Sequence, residues 1–252
     1  MGIKIIKSNE GRSQYLRMMV YGVPGSGKTV FGSTAPDPLI LDAEAGLLSI
    51  ADKKLDTVKI ETFQDVINVF NFLKTEKLAY KTVVIDSLTE LQRKSMDLIL
   101  SKAGRDRATI GDWGMNIDQV RNIIRYFRDL EMNLLLICLN EERKDEDAGI
   151  IMQRPALQGR TLPEEVMGYV DVVGYLFTKE VEGTEGKKQL VRKILCQPHE
   201  RAYAKDRSGK LDRFEEPDFK KIYTKIFGSP SSSTQERSSV NKDKEASHES
   251  KR

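Results

Sequence analysis

The chain has little that would mark it for secretion, for a membrane or for a cysteine framework. It carries two cysteines in 252 residues, Cys138 and Cys196, far apart and with no metal-ligand or disulfide spacing. Cys138 stands in an apolar run, where a cysteine is usually a small buried hydrophobe. No apolar run approaches the roughly 18 residues needed to cross a bilayer. Met1-Gly2-Ile3-Lys4-Ile5-Ile6 has no signal-peptide apolar region, and Ile6 stands where a myristoylation site wants Ser or Thr. An excess of one charge sign is also missing: the formal net charge is +3 with 31% charged residues, so any face for a polyanion must be local. These absences predict a cytoplasmic chain with no membrane partner. Its length suits one large α/β domain with appendages, and it contains no internal repeat.

What is present is Gly22-Val23-Pro24-Gly25-Ser26-Gly27-Lys28-Thr29, which completes the pattern G-x-x-x-x-G-K-[ST]. An apolar run of strand length, residues 16–21, precedes it, and Val30-Phe31-Gly32 continues into a helical turn, so the pattern has the flanks of a P-loop. Glycines let such a loop wrap phosphate oxygens with backbone N–H groups. Lys28 would reach the β/γ-phosphates of ATP, and Thr29 would ligate Mg²⁺.

Further along, residues 39–41 form a short apolar strand ending in Asp42-Ala43-Glu44, acids at a strand's carboxyl end, where open α/β sheets bind ligands. Residues 57–60 are a strand candidate, and Thr62 caps a helix with Val66, Ile67, Val69, Phe70 and Leu73 at helical spacing. Thr82-Val83-Val84-Ile85-Asp86-Ser87 is a buried parallel strand ending in a carboxylate, with Asp86 a candidate for the Mg²⁺ shell, for the helix N-cap, or for both. An amphipathic helix over 88–102 is followed by residues 103–116, which read as irregular, with Arg105, Arg107 and the single tryptophan, Trp113, among glycines. A helix over 117–130 and a buried strand over 133–139 lead to Asn140-Glu141. Residues 142–168 read as a long loop carrying Arg154 and Arg160 among balanced charges. Strands over 170–178 and 190–196 around a turn at 182–187 suggest a hairpin, and Pro217 opens a helix over 216–227. From Gly228 the chain is Ser-rich, charged and poor in apolar residues, a composition expected to be disordered. The organisation expected is an N-terminal arm over 1–15, an ATPase core over 16–227 and a tail over 228–252.

This order of P-loop, Asp-Ala-Glu, Val-Ile-Asp-Ser and a later strand ending in a polar pair resembles the RecA-like P-loop ATPases. The compact length and Asp112-Trp113-Gly114 are similar to core-only phage RecA-like recombinases linked to single-strand annealing. The resemblance implies an α/β fold with a mainly parallel central sheet flanked by helices and a C-terminal β-hairpin. It implies Glu44 as general base, with Asp42 the rival carboxylate, and Asn140 as γ-phosphate sensor, since Glu141 replaces the amide expected beside it. Ala204-Lys205-Asp206-Arg207-Ser208-Gly209 looks like a Lys-x-Arg pair that enters a neighbouring subunit's site, the alternative being a solvated basic turn. The segments 103–116 and 142–168 occupy the positions of mobile DNA loops, which makes Arg105, Arg107, Trp113, Arg154 and Arg160 candidates for single-stranded DNA; packing is the alternative for Trp113.

The activity implied is a DNA-stimulated ATPase acting in annealing or strand exchange as a homo-oligomeric ring or filament, in the host cytoplasm if phage-encoded. A single-strand-binding protein is a further candidate partner. The alternatives are a helicase loader or motor of the same fold, and a nucleotide-gated scaffold with negligible hydrolysis.

Overall fold

A computed structural model describes residues 14–76, 79–145, 149–182 and 188–228. Among the described residues ten strands share one sheet system. The main path runs β10–β8–β7–β1–β5–β4–β2–β3, with β1 Arg17–Gly22, β2 Pro38–Asp42, β3 Asp56–Lys59, β4 Thr82–Asp86, β5 Asn133–Asp145, β7 Val172–Glu182, β8 Lys188–Leu195 and β10 Phe214–Glu215. The pairings from β7 through β1, β5, β4 and β2 to β3 are all parallel. Antiparallel β8 and β10 extend the β7 side, β6 Ile150–Pro155 folds back on β5, and β9 Lys205–Asp206 pairs with the start of β7.

The central parallel strands β1, β2 and β4 are buried on both faces because helices cover both, whereas the edge strand β3 is largely exposed. Along β1, Met19 and Tyr21 join the core under α2 Phe63–Thr75, α3 Leu88–Ala103, α4 Ile110–Arg128 and α5 Leu162–Tyr169. Met18 and Val20 turn to the opposite core, which is closed by α1 Lys28–Gly32 and α6 Phe219–Phe227. The fold class is the one expected, with the hairpin formed by β7 and β8. No helix among the described residues is long and apolar enough to cross a membrane. The expected arm, apart from its last residues, the hairpin turn at 183–187 and the tail from residue 229 lie outside the described residues.

Three expectations are corrected. The segment 103–116 is not irregular throughout: Gly104 ends α3 in the left-handed region, and α4 begins at Ile110. Thr109 and Asp112 form a reciprocal capping box there, with Asp112 Oδ2 accepting from Thr109 N at 2.7 Å, and this outweighs the low helix propensity of Gly111 and Gly114. The segment 142–168 is not a loop: β5 continues to Asp145, β6 returns beside it, and α5 follows. Cross-strand pairing organises Ile150, Ile151 and Met152, which were too few to read as a strand among charges. The last helix starts at Phe219, capped by Asp218 through Lys221 N, so Pro217 precedes the cap rather than opening the helix.

Candidate nucleotide site

Parallel strands that end together build a crevice at their carboxyl ends. β1 delivers Gly22, β2 delivers Asp42, β4 delivers Asp86, and in the β1–β5 register Gly22 stands opposite Leu139. A cavity of about 1000 Å³ opens there, lined by the P-loop together with Asp42, Glu44, Asp86, Leu139 and Arg192.

The loop itself is shaped for close approach. Gly25 and Gly27 have φ of 79° and 100°, which disfavour any side chain. A Cβ on Gly22 would stand 2.3 Å from the carbonyl oxygen of Leu176, so β7 packs against the loop's first residue without space to spare. Lys28 Nζ donates to the carbonyl oxygens of Gly22 and Val23 at 2.8 and 2.9 Å, which folds the ammonium over the loop. Burial lowers the Lys28 pKa, while the nearby carboxylates of Glu44 and Asp86 act to raise it. The Ser26 hydroxyl is buried with no hydrogen-bond partner. A loop with positive-φ glycines, an inward ammonium and an orphaned buried hydroxyl fits a polyphosphate.

Thr29 Oγ1 donates to Asp86 Oδ2 at 2.7 Å. Burial pushes the Asp86 carboxyl up to about 6; the Thr29 hydrogen bond opposes this, and Glu44 adds to it. A desolvated carboxylate held against a threonine hydroxyl fits the shell of a hard divalent cation. Among the described residues no three His, Cys, Asp or Glu side chains cluster as a metal site.

The two rival carboxylates differ in their surroundings. Asp42 is buried, and its Oδ1 accepts from Gly46 N at 3.3 Å, so it braces the loop that carries Glu44. Glu44 is exposed to the cavity and accepts a hydrogen bond from Ser87 Oγ just past the end of β4. Ser87 also N-caps α3 through Glu90 N, so one side chain ties the acid to the helix start.

Asn140 follows Leu139 within β5, opposite Pro155 of β6, and does not line the cavity; it donates Nδ2 to Gln153 Oε1 at 2.6 Å and has a buried Oδ1 with no partner among the described residues. Glu141 is paired with Arg154 at 2.5 Å, which supplies a positive partner for the carboxylate in the amide's place. Arg154 is thereby engaged inside the β5–β6 hairpin. Arg105 is likewise engaged, bridging to the buried Asp112 at 2.7 Å. Arg107, Trp113 and Arg160 are exposed, Trp113 at 41%. Gln92 joins the two segments by donating to Asn116 Oδ1 and to the Gln158 carbonyl, and Gly159 packs against Ile117.

Lys205 and Arg207 lie elsewhere. Lys205 pairs in register with Val173, which is opposite Met19, so it lies about three residues, or ~10 Å, below the P-loop end of β1. Lys205 Nζ donates to Met167 O at 2.5 Å and Arg207 to Gly168 O at 2.6 Å, both carbonyls near the end of α5. The two cations do face one side together, away from their own nucleotide site.

Arg192 was not visible as a site residue in the sequence. It is one of several basic residues in a polar strand, and only the pairing of β8 with β7 brings it over the loop.

The family described as an AAA domain matches residues 14–208. The chain belongs to the AAA domain family. The matched span takes in every element of the cavity as well as Lys205 and Arg207. With the sheet and P-loop described above, this AAA domain has an α/β P-loop NTPase fold with a mainly parallel central sheet flanked by helices. Among solved structures it is similar to the flagellar accessory protein FlaH from Methanocaldococcus jannaschii, with TM-score 0.38, 10% identity, and coverage of 79% of this chain and 83% of that one. It is also similar to a prototypical ATPase from the type III secretion system of pathogenic bacteria, with TM-score 0.42, 13% identity, and coverage of 64% of this chain and 51% of that one. The chain thus spans about half the length of the second. A search of curated proteins finds no match.

Proposed function

We propose that this AAA domain is a Mg²⁺-dependent ATPase whose work is done on single-stranded DNA, in annealing or strand exchange of the phage recombinase type. The observation that carries the ATPase part is the Thr29–Asp86–Ser87–Glu44 chain around the P-loop. In this reading Lys28 and the loop amides hold the polyphosphate, while Thr29 and Asp86 hold Mg²⁺, which supplies charge neutralisation when bound. Glu44, fixed by Ser87 and facing the cavity, takes the proton of the attacking water. Asn140, next to Leu139 of the cavity wall and with an unsatisfied carbonyl oxygen, senses the terminal phosphate through Gln153 and the β5–β6 hairpin.

The DNA part is supported by the exposed ring of Trp113, near in sequence to the exposed Ile110 and Arg107, on a helix that Gln92 ties to the segment before Arg160. Aromatic rings and cations together are what single strands use without sequence preference. Arg105 and Arg154 contribute there only by exchanging their carboxylate partners for phosphate.

The distance of Lys205 and Arg207 from their own P-loop supports action in a neighbouring copy's site, hence a homo-oligomeric ring or filament in the cytoplasm. The working unit is residues 16–227, with the arm and tail outside it. The test is the ATPase rate with and without single-stranded DNA. Stimulation supports the reading; hydrolysis indifferent to DNA returns it to a motor or loader acting through other partners, and absence of hydrolysis with intact binding makes it a scaffold.

A further inference from the structure

We propose that Arg192 is a phosphate-binding arginine acting on the nucleotide of its own chain, gripping the phosphates that ATP and ADP share; this rests on the nucleotide reading above. β7 overruns the end of β1: Tyr175 stands opposite Tyr21, and seven further residues of β7 continue past it. β8 pairs along this overhang, with Thr178 opposite Arg192. Side chains alternate along a strand, so Arg192 shares a face with Ile194, which is buried in the core beneath α1. That face is the one on which the P-loop lies. The result is a close approach: a Cβ on Gly27 would stand 3.0 Å from both Cδ and Nε of Arg192. Arg192 is exposed, lines the cavity, and has no carboxylate partner among the described residues, whereas Lys59 and Arg93 on the other wall are paired with Glu61 and Glu90.

The flank it comes from decides which phosphates it reaches. In the sheet, β5, β4 and β2 lie on one side of β1 and carry Asn140, Asp86 and Glu44 with its neighbour Asp42, while β7 and β8 lie on the other. The reacting end of the triphosphate belongs beside the carboxylates, so a guanidinium entering from β8 meets the opposite end of the chain of phosphates. A planar fork is suited to two phosphate oxygens at once, and a lysine at this place would keep the charge but lose the second bond.

The experiment is calorimetric titration of the full chain with MgATP and with MgADP, for wild type, Arg192→Ala, Arg192→Lys and Lys28→Ala, with melting curves taken without nucleotide. Arg192→Ala is expected to weaken ATP and ADP by the same factor, about ten- to a hundredfold. Arg192→Lys should fall between, and melting should be unchanged because the side chain is exposed and has no carboxylate partner among the described residues. An Arg192→Ala that binds both like wild type while Lys28→Ala has lost ATP overturns the proposal and leaves the nucleotide site standing. So does a loss confined to ATP, which would put the arginine at the terminal phosphate. Equal ATP affinity in wild type and Lys28→Ala removes the nucleotide reading and this proposal together.

Discussion

Thr29 Oγ1 donates to Asp86 Oδ2 at 2.7 Å, so the first turn of the P-loop helix and the end of β4 are fixed on each other. Thr29→Ala deletes one Mg²⁺ ligand and the partner of a buried carboxylate. It should require about tenfold or more additional Mg²⁺ for the same ATP affinity, while ATP binding in EDTA stays as in wild type. Titration of affinity against Mg²⁺ checks this, and coincident curves for the two proteins would count against Thr29 as a ligand.

On the candidate DNA surface, Trp113→Ala should weaken single-strand binding by about 1–3 kcal/mol, the worth of one base stacked on a ring. Melting should change little, because the ring is 41% exposed; a large fall would make Trp113 a packing residue instead. Arg107→Ala is a cleaner charge test than Arg105→Ala, which also strips the buried Asp112 of its cation. Arg107→Ala should weaken binding and flatten its salt dependence, read from affinities at several salt concentrations.

Gln92 is buried and bridges α3, α4 and the segment before α5: it donates to Asn116 Oδ1 and Gln158 O and accepts from Gln158 N. Gln92→Ala leaves these groups unpaired and should cost about 1–3 kcal/mol in urea unfolding. An unchanged midpoint would show that the bridge contributes nothing to stability.

Much of the site was legible because its chemistry is written in consecutive residues. Gly22 to Thr29, Asp42-Ala43-Glu44 and Val84-Ile85-Asp86 each pair a strand with the group it delivers, and the parallel register then brings them to one crevice. The fold class followed from the same alternation of apolar strands and amphipathic helices. What stayed hidden depends on contacts between distant segments. The start of α4 is set by the Thr109–Asp112 box against two glycines, the strand β6 exists because β5 offers a partner, and Arg192 matters only because β8 lies beside an overhanging β7.

Lys205 offers a test by pH. Burial first, and Arg207 second, lower its pKa from the usual 10.5 to about 8, with Asp171 opposing. Between about 8 and 10.5 the unfolded chain therefore binds more protons than the folded one, so this group's contribution makes stability rise with pH across that window. Wild type should gain more stability from pH 8 to pH 10 than Lys205→Met in urea unfolding; parallel profiles would mean that the lysine titrates normally.

For the trans reading of Arg207, mixing Arg207→Ala with Glu44→Gln should restore part of the hydrolysis that neither variant shows alone, at the interfaces that combine Glu44 with Arg207. An arginine supplied in trans is worth about 10³–10⁵ in rate. An Arg207→Ala protein with full activity would leave Arg207 as a cap on the end of α5, its hydrogen-bond position in the single chain.

Glu44, held by Ser87 over the P-loop, is the base in the proposed ATPase reaction. Phosphate release from MgATP by Glu44→Gln tests it most directly, with ATP affinity measured on the same preparation. Glu44→Gln should keep wild-type affinity with turnover lowered by about 10² or more, since an amide cannot take the proton of water. Turnover retained in Glu44→Gln but lost in Asp42→Asn would contradict it.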